Sequence, residues 1–455
     1  MTRLSAVLLC AVTVSFASFA KIPYLQNQTD SSIVVHWETS ASATGKVLYG
    51  LTTSYGQEVD QSGSATDHEL TLPGLLTDTV YHYRAISGSD TSADASFHSD
   101  FTGDRHFRFF AYGDDRSDSA SHASVVNRML QQSPMPELAL NVGDLTYDGS
   151  TPVFTTFFNV SKGLISRMPL YPALGNHDVS NTANWFKYFA LPNNERWYAV
   201  HFGNSAFICL DVYSTYTPGS TEYNWFLSEL QADSANPAVK HIFVFYHEPP
   251  YTTNTGHTSN LTIQQYLCPL FVRFHVAMTF MGHNHCYEHA LVSGVHYFLT
   301  GGGGAPLYTS WDAAQPWDVY REATFEFVLV DVNGDTIKTV GIRPAGTRFD
   351  SLLIVPTGIS QEPGRKPVAP VTLSALPSPA VGRVRLTFTL PEAGQATLAL
   401  YDPTGRRAAT LASGSFAAGE HSVSWNTAGL DAGTYILVLK SAAGVSVRHL
   451  VNVGR

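Results

Sequence analysis

Cysteine is scarce in this chain, with four in 455 residues. Cys10 falls in an N-terminal apolar stretch that reads as a removable leader. The remaining three, Cys209, Cys268 and Cys286, are few and odd in number, so no disulfide framework is implied. Cys209 sits in the apolar run Ala206-Phe-Ile-Cys-Leu210 and reads as a small buried hydrophobe. Cys286 abuts His285, where a structural or supporting role is favoured over metal ligation. Positive charge is short as well. There are 27 Lys and Arg against 37 Asp and Glu, for a formal net charge of −10. That balance argues against nucleic acid as a stable partner. Beyond the leader, no apolar run is long enough to span a bilayer. Three catalytic templates are missing too. There is no Gly-x-Ser-x-Gly elbow, no phosphate-binding P-loop and no His-Glu-x-x-His, since His247-Glu248-Pro249 lacks the second His.

What is present divides along the chain. Arg3, an apolar stretch and the small-x-small site Ser18-Phe19-Ala20 make residues 1–20 a secretory signal peptide. The alternative, a membrane anchor, needs a longer run. Residues 21–102 hold short β-branched and aromatic runs separated by Gly, Ser, Asp and Pro, which predict a β-sandwich. The corner Leu72-Pro-Gly-Leu-Leu-Thr-Asp-Thr-Val-Tyr81 is similar to one in fibronectin type III domains. Residues 103–350 alternate apolar runs with helix-like segments at 122–132 and 222–232, predicting a layered α/β or α+β domain. Asn333-Gly334 marks a hairpin near its end. A Pro/Gly-rich linker follows at 351–370, then a second all-β module at 371–455.

The chemistry gathers in the central domain. Five of its apolar runs end in a metal-ligand type of residue. Phe109-Phe-Ala-Tyr-Gly113 ends at Asp114, and Ala139-Leu-Asn-Val-Gly143 at Asp144, with Tyr147 three residues on. Tyr171-Pro-Ala-Leu-Gly175 ends at Asn176-His177-Asp178, Phe243-Val-Phe-Tyr246 at His247, and Met278-Thr-Phe-Met-Gly282 at His283 and His285. Ligands collected at the carboxyl ends of sheet strands are the expected site of an open α/β sheet. Two carboxylates, an amide, three imidazoles and a phenol can hold two metal ions about 3.5–4 Å apart. Such a pair activates water and clamps an anionic phosphate, which suits hydrolysis of phosphate esters. His177 and His257 are candidates to protonate the leaving group. Each has a second reading: His177 as a structural histidine held by Asp178, His257 as an exposed loop residue. The Gly301–Gly304 run, with no Lys-Ser/Thr after it, reads as a tight loop near the site.

These blocks resemble the calcineurin-like metallophosphoesterases, and among them the purple acid phosphatases. Pro23-Tyr-Leu-Gln26 with Val35-His-Trp37 resembles the N-terminal domain those phosphatases carry. The resemblance covers most of residues 22–345 and implies a fibronectin type III-like sandwich followed by a central metallophosphoesterase sandwich; the module beyond them reads separately as an immunoglobulin-like β-sandwich, either a sorting domain or a plain accessory domain. It implies Asp114, Tyr147 and His285 as ligands of a ferric ion. Asn176, His247 and His283 would hold Fe(II), Zn(II) or Mn(II), and Asp144 would bridge. Phosphomonoesters would be hydrolysed through a metal-activated hydroxide, with His177, His257, Asp178 and Arg116 as candidate catalytic residues. A phosphodiesterase or nucleotidase is the same-family alternative, and a non-catalytic cell-surface binding protein the different-class one.

Three departures stand out. Gly113-Asp114-Asp115-Arg116 lacks the His found in many metallophosphoesterases and the Gly of purple acid phosphatases. Arg116 therefore has two readings: a phosphate ligand, or a partner for Asp115 or Asp118. His289 stands where Arg is usual. In the terminal module, Leu398-Ala-Leu-Tyr-Asp-Pro-Thr-Gly-Arg406, Ala418-Gly-Glu-His-Ser-Val-Ser-Trp425 and Leu430-Asp-Ala-Gly-Thr-Tyr-Ile-Leu437 resemble type IX secretion sorting domains. That resemblance implies export to the cell surface or medium with the secretion machinery as a partner. The ending at 448–455 departs from the usual Lys-rich one.

Overall fold

The computed structural model describes residues 18–355, 372–376, 382–390, 393–401, 407–430, 432–441 and 444–452. The leader expected over 1–20 lies outside the described residues except for 18–20. The same is true of the expected linker beyond residue 355. The chain divides into two compact units, Met1–Thr357 and Gly358–Arg455.

The first unit opens with six strands: β1 (Phe19–Gln26), β2 (Ser32–Gly50), β3 (Gln57–Pro73), β4 (Val80–Ser87), β5 (Asp90–Thr91) and β6 (Ala95–His98). Their hydrogen bonds form one continuous six-stranded network. The 19-residue β2 organises it. Val35 pairs with Leu25 of β1 and Leu70 of β3, while further along Lys46 pairs with Asp60 of β3 and Ile86 of β4. Alternating residues bury Val35, Trp37, Leu72, Tyr81, Tyr83 and Phe97 in a core of their own. The Tyr81 hydroxyl accepts from the Leu76 N–H at 2.9 Å, closing the predicted corner. Pairing begins at Phe19, two residues before the expected mature start. This layer docks onto the central domain through the Tyr24 hydroxyl, which donates to the Tyr188 carbonyl at 2.8 Å.

The central domain packs two sheets face to face. One contains β7 (Phe107–Tyr112), β8 (Leu138–Asn141) and β9 (Leu170–Pro172), all parallel, extended by the antiparallel β17 (Phe327–Asn333), β18 (Thr336–Ile342) and β19 (Arg348–Ile354). The other has β11 (Ser205–Cys209), β12 (His241–Phe245), β13 (Met278–Met281) and β15 (Val295–Thr300) in parallel. β10 (Tyr198–Phe202) and β14 (Tyr287–Val292) flank them antiparallel, and β16 (Asp318–Glu322) pairs antiparallel with β14 at the edge. Burial on both faces accounts for the continuous apolar runs of the parallel strands. Phe109 links the sheets, with ring centroids 5.0 Å from Phe207 and 5.1 Å from Phe243. Helix α1 (Ser119–Met129) starts earlier than its apolar pattern because Asp118 caps it, accepting from the N–H groups of Ala120 and Ser121. Helices α2 (Thr151–Ile165), α3 (Thr182–Tyr188), α4 (Thr221–Ala235), α5 (Leu261–Tyr266) and α6 (Cys268–Arg273) cover the sheets. Cys209, Cys268 and Cys286 are free and buried.

The second unit is mostly β. Strands Thr372–Leu376, Arg383–Leu390 and Gly419–Asn426 form one antiparallel sheet. Arg407–Phe416, Gly394–Tyr401, Gly433–Ser441 and Gly444–Asn452 form another. Leu386, Phe388, Leu398, Leu400, Leu437 and Leu439 share its core.

Glu326 makes stability depend on pH. It is fully buried, accepting from the Thr300 hydroxyl at 2.9 Å and the Gly302 N–H at 3.2 Å. Burial pushes its carboxyl up to about 8 from an ordinary 4.5. Between those values the folded chain keeps a proton that the unfolded chain releases, so stability falls as pH rises through that window. Glu326→Gln removes the ionisation, and thermal melting at pH 8 is expected to show a gain of up to a few kcal/mol. At pH 4 the two proteins are expected to melt together.

Candidate metal centre

The carboxyl ends of β7, β8 and β9 in one sheet and of β12 and β13 in the other open onto the same place. Asp114 follows β7, Asp144 follows β8, Asn176 follows β9, His247 follows β12, and His283 and His285 follow β13. Tight turns put them there. Asp114, Asp144 and His283 have φ of 58°, 55° and 72°, the left-handed region that costs energy for residues other than glycine. Two glycines allow the close approach. A Cβ on Gly175 would lie 2.1 Å from Asp144 Oδ1, and one on Gly282 would lie 2.2 Å from Asp114 Oδ2.

Asp144 is shared by two groups of candidate ligands. On one side, ligand atoms of Asp114, Asp144 and His285 all lie within 4.8 Å of one another. On the other, Asn176 Oδ1 is 3.2 Å from His247 Nε2 and 3.0 Å from His283 Nδ1, and His247 Nε2 is 3.5 Å from Asp144 Oδ1. The His247 Nδ1–H donates to the Val142 carbonyl and the His285 Nδ1–H to the Pro306 carbonyl, each at 2.8 Å. These bonds turn Nε2 of both rings inward, as partners of metal-bound histidines do.

The donor set fits metal ions. Asp114 Oδ1 is buried without a hydrogen-bond partner. Burial, then the neighbouring charge of Asp144, push the Asp114 carboxyl well up. Burial also acts against ionised Asp144, but His247 and the His177 N–H outweigh it and hold that carboxyl below its ordinary value. His285 is pushed down to about 4, mainly by burial. A cation is the natural partner for two buried carboxylates facing imidazole and amide acceptors.

The other predicted residues take distinct places. The His177 N–H donates to Asp144 Oδ1 at 3.0 Å, its ring Nδ1–H donates to the Tyr147 carbonyl at 2.5 Å, and Nε2 lies 3.9 Å from Asp144 Oδ2. His257 comes to the site, its ring stacked 3.7 Å from that of His283. Tyr147 tilts over His177 with centroids 5.2 Å apart, and is 56% exposed. Among the described residues its hydroxyl makes no hydrogen bond. Arg116 pairs with neither Asp115 nor Asp118. Its Nε–H donates to Asp144 Oδ2 at 2.9 Å, and Nη2–H donates to His285 Nε2 at 3.2 Å. Asp178 turns away from the His177 ring and accepts from the Thr146 N–H and hydroxyl and the N–H groups of Leu145 and Gly175. His289 faces Asp350 at 2.9 Å and His296 at 2.8 Å, away from the ligands.

Two tyrosines escaped the sequence pattern. Tyr308 stacks 4.1 Å from the His285 ring, and Tyr213 lies 6.1 Å from that of His247. Tyr213 had a signal, because the apolar run 207–210 also ends in polar residues. Tyr308 had none, since it follows a glycine loop rather than a strand. That loop is close to the site: a Cβ on Gly301 would lie 2.9 Å from Asp114 Oδ2.

Residues 99–287 match the family model of calcineurin-like phosphoesterases. The chain is 24% identical over 358 residues to purple acid phosphatase 1 of Ipomoea batatas, covering 69% of this chain and 74% of that one. It is 22% identical over 313 residues to Fe(3+)-Zn(2+) purple acid phosphatase 12 of Arabidopsis thaliana, covering 59% and 66%. In fold it resembles purple acid phosphatase PPD1 from yellow lupin seeds, with a TM-score of 0.64, 16% identity and 73% of each chain covered.

Proposed function

We propose that this chain, a phosphoric ester hydrolase with a calcineurin-like metallophosphoesterase domain and purple acid phosphatase homologues, is a binuclear phosphatase acting on phosphomonoesters. The observation that carries this reading is the two groups of ligands sharing Asp144. Asp114, His285 and Tyr147 would hold one ion, Asn176, His247 and His283 the other, with Asp144 between them. Tyr147 would have to turn inward from its exposed position. The name of the Arabidopsis relative supports iron and zinc as the pair, with Fe(II) or Mn(II) as alternatives at the second position. Bound ions would lower the pKa of water and offset the charge of the phosphate.

The remaining steps fall to the chain. His177 stands beside Asp144 with Nδ1 committed to a carbonyl. With the ring as imidazolium, its Nε2–H is therefore the donor free to meet a phosphate oxygen and pass its proton to the leaving alkoxide, leaving the neutral Nδ1–H ring. His257 offers a second imidazole from across the site. Asp178 supports the loops. The C-terminal motifs further suggest export by the type IX route, although 402–406 and 431 within them lie outside the described residues.

The test uses the purified full chain, with p-nitrophenyl phosphate set against bis-p-nitrophenyl phosphate. The monoester is expected to turn over faster. Chelator treatment is expected to reduce its hydrolysis by more than about a hundredfold, and added iron and zinc to restore it. Faster turnover of the diester would make the chain a phosphodiesterase. No phosphate release from metal-loaded protein would leave a binding protein.

A further inference from the structure

The two ligand groups differ in one respect that the donor residues alone do not disclose. Asn176, His247 and His283 themselves make no hydrogen bond to any Lys or Arg among the described residues, and Arg116 reaches their side only through the shared Asp144. The Asp114, Asp144 and His285 side already contains a cation, the Arg116 guanidinium. Its side chain is 11% exposed. It donates to a carboxylate oxygen of Asp144 and to the inward-facing Nε2 of His285, two of the three residues that a metal there would touch. A guanidinium and a metal ion cannot both occupy those lone pairs.

Two neighbouring features show what displacement would involve. A cavity of about 220 Å³ adjoins the site, lined in part by Arg116, Ser117, Thr146, Tyr147 and Phe157. It offers the guanidinium a place outside the ligand cluster. Tyr147, 6.0 Å from Arg116 Cζ, faces outward while the guanidinium is inside. Withdrawal of Arg116 would clear the approach for the phenol. Asp114 Oδ1 stays unpartnered even with Arg116 in place, so the guanidinium compensates this side only in part.

We propose that Arg116 is a resident cation of the Asp114–Asp144–His285 side, which a metal ion must displace toward the adjoining cavity. The two sides then load in order, the Asn176–His247–His283 side first and more tightly. The inference rests on the binuclear reading above.

Calorimetric titration of the metal-free full chain with Zn²⁺, with metal counted after gel filtration, tests both. Wild type is expected to show a tight and a weak phase and to retain one ion per chain. Arg116→Gln and Arg116→Ala are expected to tighten the weak phase by at least about tenfold, the scale on which groups beside a metal site move its affinity. Both variants should retain two ions per chain, with the weak phase moving more than the tight one. Arg116→Lys keeps the charge on a shorter reach and should fall between. A weak phase unmoved or weakened in folded Arg116→Gln would overturn the role of Arg116 and leave the binuclear reading standing. Fewer than two binding events in wild type and in every variant would overturn both.

Discussion

Asp144→Asn is expected to reduce hydrolysis of p-nitrophenyl phosphate by more than about a hundredfold while the protein stays folded. That floor follows from the cost of losing mere partners of metal ligands, which already reaches this size. Asp144 contributes more than a partner does. Among the described residues its oxygens approach candidate ligand atoms of both groups, touching the Asp114–His285 side and lying 3.5 Å from His247 Nε2. Its Oδ1 also accepts from the His177 N–H, and its Oδ2 from Arg116. Asparagine keeps the shape but removes the charge, and its amide turns N–H groups toward either His247 or Arg116. The backbone accepts the change, because Asp144 has φ of 55° and asparagine tolerates that region about as well as aspartate. A loss of activity should therefore come without a lower melting temperature. Steady-state kinetics and a melting curve on the same preparation decide it, and activity within tenfold of wild type would remove Asp144 from the centre.

Much of this site was visible in the sequence for a physical reason. Parallel strands buried on both faces must be continuously apolar, so a glycine and a ligand at the end of such a run mark the strand's carboxyl edge. The five apolar runs that end in candidate ligands form β7, β8, β9, β12 and β13. Strands outside the parallel core were harder to see. The run 318–322, Asp-Val-Tyr-Arg-Glu, forms β16 by pairing with the edge of β14, which no local pattern announces. The length of the 19-residue β2 was not legible, because Gly, Ser and Ala interrupt its apolar pattern. Side-chain direction was not legible either. Arg116 had plausible acidic partners one and two residues away, yet it reaches Asp144 and His285, placed beside it only by the packing of two sheets. His289 likewise turns to Asp350, 61 residues away.

Asp178 shows the same limit, and its replacement has the larger expected effect on stability. The motif Gly175-Asn-His-Asp178 places a carboxylate next to a candidate proton donor, which invites a catalytic role. The structure instead gives it four hydrogen bonds across two loops. It accepts from Leu145 and Gly175 at 3.3 and 3.1 Å, and from the N–H and hydroxyl of Thr146 at 3.1 and 2.9 Å. The carboxylate thus ties the turn that follows Asp144 to the turn that carries Asn176. Asp178→Ala would strand three backbone N–H groups in a buried setting, each costing about 1–3 kcal/mol. The expected loss is about 3 kcal/mol or more, read as a lower melting midpoint, with weakened metal retention because the two turns lose their tie. Asp178→Asn should recover only part, since its NH₂ group can face one pair of donors but not accept from it. A purely catalytic aspartate would give the opposite pattern, an unchanged midpoint with collapsed turnover. Metal retention separates the two accounts, because only the loss of a structural tie moves Asn176 away from His247 and His283.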